Sequence, residues 1–191
     1  MQADLSQLEA PKRIVDDLLG WSSGDLKIHI LVNNAATLIF KPLAELTLAD
    51  YEYVHHVNIR GTIFLTQAIL PYLQPNGRII NISSVGARGA FKAASLYSSS
   101  KSAIEGLTRT WAAELGANGT TVNAVAPGPV QSDMLDDVPT EIKEVQKILT
   151  PVGNRFGTTD EIANVVALVA SPTSGWVTGQ CINASGGYQM T

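Results

Sequence analysis

The chain has 191 residues, of which 45% are hydrophobic and 16% are charged, a size and composition typical of one soluble globular domain with a substantial core. The formal net charge is -4, so neither a nucleic-acid backbone nor an anionic membrane surface is an expected partner. A single cysteine, Cys181, excludes an intrachain disulfide framework. Together with the lack of a secretion signal and of a long apolar run, it indicates a cytoplasmic protein that does not enter a membrane.

Short β-branched segments alternate with longer amphipathic segments along the chain. This alternation is typical of βαβ units, in which a parallel sheet carries helices on both faces. In chain order, the sequence predicts a helix over residues 8–20, a strand over 28–32, a helix over 48–73, a strand over 78–82, a helix over 96–115, a strand over 121–125, a partly helical excursion over 131–150, a helix over 159–170 and a strand over 179–184. We therefore predict a single α/β domain over residues 1–191.

Local features refine these elements. The near-continuous apolar sequence of residues 28–32 predicts a strand that is covered on both faces. Asn58 and Gly61 are expected to interrupt the helix around them, and residues 74–77 are expected to form the turn that follows it. Thr158 and Glu161 predict a capping box at the start of the helix over residues 159–170.

Tyr97 and Lys101 are the most informative pair of side chains. Their spacing places a phenol and an ammonium on one helix face, with a rise of about 6 Å between them. A nearby cation and the positive end of the helix dipole both favour the phenolate, so the pKa of Tyr97 is expected to fall below its usual value of about 10. Such a tyrosine can act as a general acid or base near neutral pH. The alternative is a chance pair on a solvated helix face.

Other candidate site residues follow the predicted strands, because parallel α/β sheets bind ligands beyond the carboxyl ends of their strands. Residues 33–36, with the sequence Asn-Asn-Ala-Ala, have small side chains that let a flat ring approach the backbone. Ser84 can donate a hydrogen bond to a substrate carbonyl oxygen. Residues 127–130, with the sequence Pro-Gly-Pro-Val, and Ser132 form a rigid turn that exposes backbone groups. The alternatives are an ordinary polar turn, a cap and a simple turn, respectively.

Asn58 and Arg60 lie at the predicted helix break. A break beside Gly61 frees backbone groups that can hold a water molecule, and Arg60 is placed to meet a phosphate or a ribose. A solvent-facing Asn58 and a solvated Arg60 are the alternatives. The three histidines do not have the spacing of a metal site, so no metal is expected.

Taken together, these residues resemble the motifs of the short-chain dehydrogenase/reductase family, in the branch that contains 3-oxoacyl carrier-protein reductases and fungal ketoreductases. The resemblance runs essentially over residues 1–191. The matching positions are Asp4, Asn33, Asn34, Ala35, Ala36, Asn58, Gly61, Ser84, Tyr97, Lys101, Pro127, Gly128, Pro129, Val130 and Ser132. The resemblance implies a Rossmann-like doubly wound parallel sheet and an oxidoreductase that uses NADP or NAD, with NADP favoured by the branch.

The resemblance also implies roles for the matching residues. Tyr97 would give a proton to a carbonyl oxygen, Lys101 would bind the nicotinamide ribose and lower the pKa of Tyr97, and Ser84 would orient the carbonyl group. Asn58 would hold a water molecule in a proton relay. The candidate catalytic residues are therefore Asn58, Ser84, Tyr97 and Lys101. The candidate cofactor-binding residues are Asp4, Asn34, Ala35, Ala36, Arg60, Tyr97, Lys101, Pro127, Gly128, Val130 and Ser132.

The chain departs from the family pattern near its start. The Thr-Gly-x-x-x-Gly-x-Gly turn, which cradles the cofactor pyrophosphate in the family, occurs nowhere in the sequence. Asp4 matches the end of the family's third strand, so a segment on the order of 60 residues is expected to be missing. We therefore expect a family domain truncated at its N-terminus, without its first strands and glycine-rich turn, in which the strand over residues 28–32 lies at an exposed sheet edge.

Three functions remain open from the sequence. The first is an oxidoreductase that acts on a small carbonyl or alcohol substrate, which is expected to be apolar and to bind between residues 85–96 and 131–150. The expected lining comprises Val85, Phe91, Leu96, Met134 and Leu135. The second is a non-redox binding or proton-transfer protein, such as an isomerase, a cyclase or a pseudoenzyme, and the third is an inactive fragment. The resemblance also implies a homo-oligomer, formed through the helices over residues 48–73 and 96–115.

Overall fold

The computed structural model describes residues 2–136, 138 and 140–190. The strands are β1 (Ile28–Asn33), β2 (Leu73–Ile82), β3 (Thr121–Pro127) and β4 (Cys181–Ala184), and the helices are α1 (Ala10–Trp21), α2 (Leu48–His55), α3 (Thr62–Ile69), α4 (Ser95–Leu115), α5 (Asp133–Asp136), α6 (Thr140–Ile148) and α7 (Thr159–Ala170). The strands form one parallel sheet in the order β1-β2-β3-β4. The predicted α/β class and the predicted order of elements are confirmed. Within the described ranges no helix is long and apolar enough to cross a membrane.

The core lies on both faces of the sheet, because successive side chains of a strand point to opposite sides. On one face, Ile79 of β2 packs in a cluster with Ala112 of α4. On the other face, Ile80 of β2 packs in a cluster with Val169 of α7. Both isoleucines are only 1% exposed, so α4 and α7 cover opposite faces of the sheet, as a doubly wound fold requires.

Strand β1 lies at the edge of the sheet, as the sequence predicts. Ile30 and Val32 are 49% and 39% exposed, respectively. They lie outside the apolar cluster that α7 forms with β2 and β3. The prediction that both faces of this strand are covered is therefore wrong.

The predicted break in the helix over residues 48–73 is confirmed. Residues His56–Gly61 form a π-helical turn between α2 and α3, and such turns widen a helix locally and free it to reorient side chains. A Cβ atom on Gly61 would lie 2.9 Å from the Leu5 carbonyl oxygen. Only glycine therefore lets the N-terminal segment lie this close to the turn.

Strand β2 begins earlier than predicted, and the turn expected at residues 74–77 is wrong. Ile28 pairs with Leu73 and Ile30 pairs with Arg78, so these residues of β2 form a bulge opposite β1. Asn76 adopts a left-handed backbone conformation in this bulge, with φ of 58°. The turn-forming residues are thus accommodated inside the strand, because pairing with β1 continues on both sides of them.

Helix α7 begins with the predicted capping box. The Thr158 hydroxyl accepts a hydrogen bond from the Glu161 N–H group, and the Glu161 carboxylate accepts one from the Thr158 N–H group. These two bonds satisfy backbone donors that the first turn of a helix leaves unpaired. The cap fixes where α7 starts.

A polar seam of four buried side chains (Thr66, Asn33, Asn81 and Thr108) crosses the molecule close to the carboxyl ends of the first two strands. Asn33 Nδ2 donates to Thr66 Oγ1 at 3.0 Å and to Asn81 Oδ1 at 2.8 Å. Asn81 Nδ2 donates to Thr108 Oγ1 at 2.9 Å. The seam joins α3, β1, β2 and α4 one residue before Asn34 and two residues before Ser83, and so fixes the strand ends from which the site is built.

Candidate active site

The carboxyl ends of β1, β2 and β3 open into one cavity of about 1080 Å³, where parallel α/β sheets bind ligands. Side chains from α4, α5, α6 and α7 complete its walls. The predicted site residues that line it are Asn34, Ala35, Ala36, Ser84, Tyr97, Lys101, Pro127, Gly128, Val130 and Ser132. The fold thus brings most of the sequence-predicted site residues to a single place.

Tyr97 reaches the cavity from the first turn of α4, and Ser84 lines the cavity beside it. Burial raises the pKa of Tyr97 above its usual value of 10, and the hydrogen bond from Ser84 opposes this rise. The expected fall in the pKa of Tyr97 is wrong in this structure, because desolvation of the phenol is the largest effect on this pKa. At neutral pH Tyr97 is therefore a protonated phenol, which can donate its proton.

Lys101 lies one helical turn after Tyr97 and is 4% exposed. Its Nζ atom donates to the Ile82 carbonyl oxygen at 2.7 Å and lies 5.7 Å from the centroid of the Tyr97 ring. Burial lowers the pKa of Lys101 to about 8. Among the described residues that line the cavity, Lys101 is the only lysine or arginine.

Ser84 ends the extended backbone of β2 and begins a 3₁₀ turn over Val85–Ala87. Its Oγ atom accepts a hydrogen bond from the Gly86 N–H group at 3.0 Å, so Ser84 both caps the turn and faces Tyr97. A Cβ atom on Gly86 would lie 3.2 Å from Ser84 Oγ and 3.4 Å from Tyr97 Cε1. The turn and the tyrosine are therefore in close contact, and a small residue is needed between them.

Asn58 is 2% exposed and acts through its side-chain amide. Its Oδ1 atom accepts from the Thr37 N–H group at 2.8 Å, and its Nδ2 atom donates to the Thr37 carbonyl oxygen at 2.8 Å. Nδ2 also donates to Ser100 Oγ at 3.0 Å. The amide thus ties the loop that follows β1, which carries residues 34–36, to the π-helical turn and to α4.

A buried cluster around Glu105 has no counterpart among the sequence predictions. Glu105 Oε2 accepts from Arg88 Nε at 2.8 Å, and Oε1 accepts from Ser83 Oγ and Cys181 Sγ, each at 3.2 Å. Burial and the adjacent carboxylate raise the pKa of the Cys181 thiol to about 12. The one sequence signal that could have indicated this cluster is the position of Glu105 one helical turn after Lys101.

Asp4 and Arg60 do not line the cavity. The exposed Asp4 carboxylate accepts a hydrogen bond from the Ser6 N–H group at 2.9 Å, and Arg60 donates to the Ser6 carbonyl oxygen. Asp4 therefore closes the N-terminal turn, and Arg60 ties this turn to the π-helical turn. The structure gives neither of them a contact with the cavity.

The apolar part of the cavity differs from the predicted substrate pocket. Met134 and Leu135 line it as expected, but Val85, Phe91 and Leu96 do not. Val85 is 6% exposed within the core, and Phe91 stacks on Tyr188 with ring centroids 6.4 Å apart. Apolar lining that the sequence did not reveal comes from Leu38, Phe40, Val138, Ile162 and Val166.

The residues of the cavity fit the nicotinamide and ribose portion of a dinucleotide. The hydrogen bond from Lys101 to Ile82 uses one of the three N–H groups of the ammonium, so two remain for the oxygens of a ribose. The small side chains of Ala35, Ala36 and Gly128 line the same cavity and admit a flat ring close to the backbone. Lys101 and the turn at Gly128 would therefore hold this part of the cofactor.

Comparisons with known proteins agree with this arrangement. Residues 1–189 match the family model described as enoyl-(acyl carrier protein) reductase. The chain is 41% identical over 192 residues to the dehydrogenase OXI1 of Cochliobolus heterostrophus, which covers 98% of this chain and 82% of that protein. It is also 41% identical over 194 residues to the short-chain dehydrogenase/reductase FrzI of a Cladobotryum species, which covers 98% of this chain and 74% of that protein.

Solved structures show the same likeness. The crystal structure of a blue fluorescent protein from a metagenomic library, in complex with NADPH, superposes with a TM-score of 0.89 at 36% identity, over 99% of this chain and 75% of that chain. The sheet order, the polar residues at the strand ends and the match over nearly all of the sequence lead to one conclusion: the chain belongs to the short-chain dehydrogenase/reductase family of NAD(P)-dependent oxidoreductases.

Proposed function

We propose that this protein reduces the carbonyl group of a small apolar ketone, or oxidises the corresponding alcohol, with Tyr97 as the general acid or base. The observation that carries the proposal is the neighbouring pair of Tyr97 and Ser84, which faces a largely apolar cavity beside the buried Lys101. Met134 and Leu135 support an apolar substrate because they line the same cavity.

Tyr97, Ser84 and Lys101 have separate roles in the proposed reaction. Tyr97 is protonated at neutral pH because burial raises its pKa, so it gives its proton to the carbonyl oxygen. Ser84 donates a hydrogen bond to the same oxygen and stabilises the negative charge that develops there. A bound reduced nicotinamide would supply the hydride that the carbonyl carbon gains. Lys101 holds the ribose, and its positive charge stabilises the tyrosinate left after proton transfer.

NADP is the proposed cofactor in preference to NAD. The proposal draws on the metagenomic blue fluorescent protein, whose crystal structure is a complex with NADPH. Titration with NADPH and NADH, followed by the fluorescence of the reduced nicotinamide, tests this choice. Tighter binding of NADPH is the expected result, and equal or tighter binding of NADH contradicts it.

Substitution of Tyr97 by Phe tests the role of its hydroxyl group. We expect a loss of about 10²- to 10⁴-fold in kcat for ketone reduction, with the dissociation constant of NADPH unchanged within a few fold. Tyr53→Phe is the matched control, because Tyr53 is 53% exposed on α2 and does not line the cavity. Full activity of Tyr97→Phe, or an equal loss in both variants, contradicts the proposal.

A second candidate function is non-redox proton transfer, in which the protein uses Tyr97 and Lys101 without a dinucleotide. One observation favours it: the described lining offers a single cation, Lys101, whereas a dinucleotide carries a charged pyrophosphate. The same NADPH titration separates the candidates. Binding of an apolar ketone to a folded protein that does not bind NADPH or NADH supports the second candidate and contradicts the first.

A further inference from the structure

We propose that Glu105 and Arg88 form a clamp that positions the Ser84 hydroxyl against Tyr97, an inference that rests on the proposed role of Ser84 above. Neither Glu105 nor Arg88 lines the cavity, so both act through other residues and are positioning residues. The clamp joins the turn after β2 to the helix that carries Tyr97.

The helix side of the clamp is rigid. The Glu105 side chain is 7% exposed and both of its oxygens accept hydrogen bonds, from Arg88 on one side and from Ser83 and Cys181 on the other. Removing a cation from a buried carboxylate is costly, which holds Arg88 in place. The charged and titratable groups near this carboxylate are Arg88 from the turn, Cys181 from β4, and Lys101 and Arg109 from α4 itself.

On the turn side of the clamp, hydrogen bonds of the turn connect Arg88 to Ser84. The main-chain N–H group of Arg88 donates to the Val85 carbonyl oxygen at 3.2 Å and closes the turn. Ser102 Oγ of α4 donates to the Ala87 carbonyl oxygen at 2.6 Å, which is a second tie between the turn and the helix. Ser84 Oγ in turn accepts from the Gly86 N–H group, so the orientation of the Ser84 hydroxyl follows the position of the turn.

The turn lies so close to Tyr97 that a small shift of the turn changes how Ser84 faces the phenol. A Cβ atom at Gly86 would already touch both Ser84 Oγ and the Tyr97 ring, so an outward shift of the turn separates the two hydroxyl groups. Loss of the interaction with Ser84 removes a contribution that opposes the effect of burial on the pKa of the Tyr97 phenol. A loosened clamp therefore raises the pKa of Tyr97, which a purely structural role of Glu105 would leave unchanged.

The experiment measures the pKa of Tyr97 directly, by NMR titration of protein labelled with carbon-13 in the tyrosine ring. The Tyr97→Phe variant assigns the signal. We expect Ser84→Ala, Glu105→Gln and Arg88→Met each to raise the pKa of Tyr97 by about one unit, the value of one hydrogen bond. In a Ser84→Ala background, Arg88→Met is expected to have no further effect on the pKa of Tyr97, because both substitutions act through the Ser84 hydroxyl group.

Arg109→Met is the matched control, because it removes an exposed cation of α4 that does not hydrogen-bond to Glu105. If Glu105→Gln does not fold, Arg88→Met decides the outcome, since the Arg88 side chain is 36% exposed. A Tyr97 pKa that stays at the wild-type value in Arg88→Met, or that rises further in the Ser84→Ala background, overturns the clamp. The titration requires no turnover, so its result does not depend on whether the protein reduces ketones. Failure of ketone reduction would overturn the proposed function without deciding whether the clamp exists.

Discussion

The Lys101 ammonium donates to the main-chain carbonyl oxygen of Ile82 at 2.7 Å. This bond holds the charge at the last residue of β2, two positions before Ser84, in a place where the side chain is nearly excluded from solvent. The cation thus lies beside the phenol of Tyr97 with little hydration. This loss of hydration lowers the pKa of Lys101 to about 8.

Lys101→Met is expected to remove a pH dependence of stability. The folded-state pKa of about 8 lies below the usual 10.5, so between these values Lys101 binds more protons in the unfolded chain, and its contribution to the free energy of unfolding rises with pH. The expected rise is about 3 kcal/mol. Urea unfolding of both proteins at pH 7, 8, 9 and 10 measures it. The same slope with pH in Lys101→Met would show that burial does not lower the pKa of this lysine.

Gly86→Ala is expected to lower kcat while the protein stays folded. The new methyl group would press on Ser84 Oγ and on the Tyr97 ring at 3.2 and 3.4 Å, and a displacement of a few tenths of an ångström at reacting groups costs about tenfold in rate. Steady-state kinetics with an apolar ketone and NADPH measure the loss.

The control for this substitution is Gly116→Ala. Gly116 has φ of -68°, and no neighbouring atom lies within 4 Å of the position that an added methyl group would occupy, so alanine fits without strain and raises stability by about 0.4–1 kcal/mol. We expect its kcat to equal that of the wild type. Equal kcat in both alanine variants would show that the turn can yield without disturbing Ser84 and Tyr97.

Asn58→Asp is expected to destabilise the fold strongly. The carboxylate would lose both donated bonds, to Thr37 and Ser100, and would face the Thr37 carbonyl oxygen in a site that is 2% exposed. Burying an unpaired charge or acceptor of this kind costs about 3 kcal/mol or more. The change in the free energy of unfolding, from urea titration, measures the cost at pH 7.

Asn118→Asp is the comparison for Asn58→Asp. Asn118 is exposed, and its Oδ1 atom accepts from the Thr120 N–H group at 3.1 Å, a bond that a carboxylate keeps. Its stability should remain within about 0.5 kcal/mol of the wild type. A loss in Asn58→Asp no larger than this would mean that the amide does not clamp the loop after β1.

Ile30→Lys is expected to reduce self-association. Ile30 is 49% exposed on the edge strand β1, and an apolar sheet edge is a template for pairing with another chain, whereas an edge lysine opposes it. Light scattering over a range of protein concentrations measures the effect. Leu43→Lys adds the same charge at a residue that is 77% exposed and lies outside the sheet, so an equal reduction in that variant would assign the effect to net charge.

The features that the sequence predicted well depend on short-range patterns. Thr158 and Glu161 lie three residues apart, and the bonds of their capping box form within one helical turn. Asn58 and Gly61 likewise predict a weak point in a helix from local propensity alone, and the π-helical turn forms there. The order of strands and the residues at their carboxyl ends follow from the alternation of elements, which is why the candidate site residues meet in one cavity.

The features that the sequence did not reveal depend on tertiary contacts. Arg88 and Glu105 are 17 residues apart and belong to different elements, so no periodicity joins them. Arg60 was expected near a cofactor, yet its partner is the Ser6 carbonyl oxygen, 54 residues away. The pKa of Tyr97 was expected to fall because the helix dipole and Lys101 are visible in the sequence, whereas the depth of burial that raises it is a property of the folded chain.

Helix α6 forms a wall of the cavity and yet buries none of its own residues, whereas α4 buries six. Local unfolding of a helix requires a free energy set largely by the apolar surface that it buries. Backbone amides of α6 will therefore exchange with deuterium well before those of α4, without unfolding of the sheet. The cavity is therefore built unevenly: Tyr97 projects into it from a helix anchored in the core, whereas the side that α6 contributes is held by little buried surface.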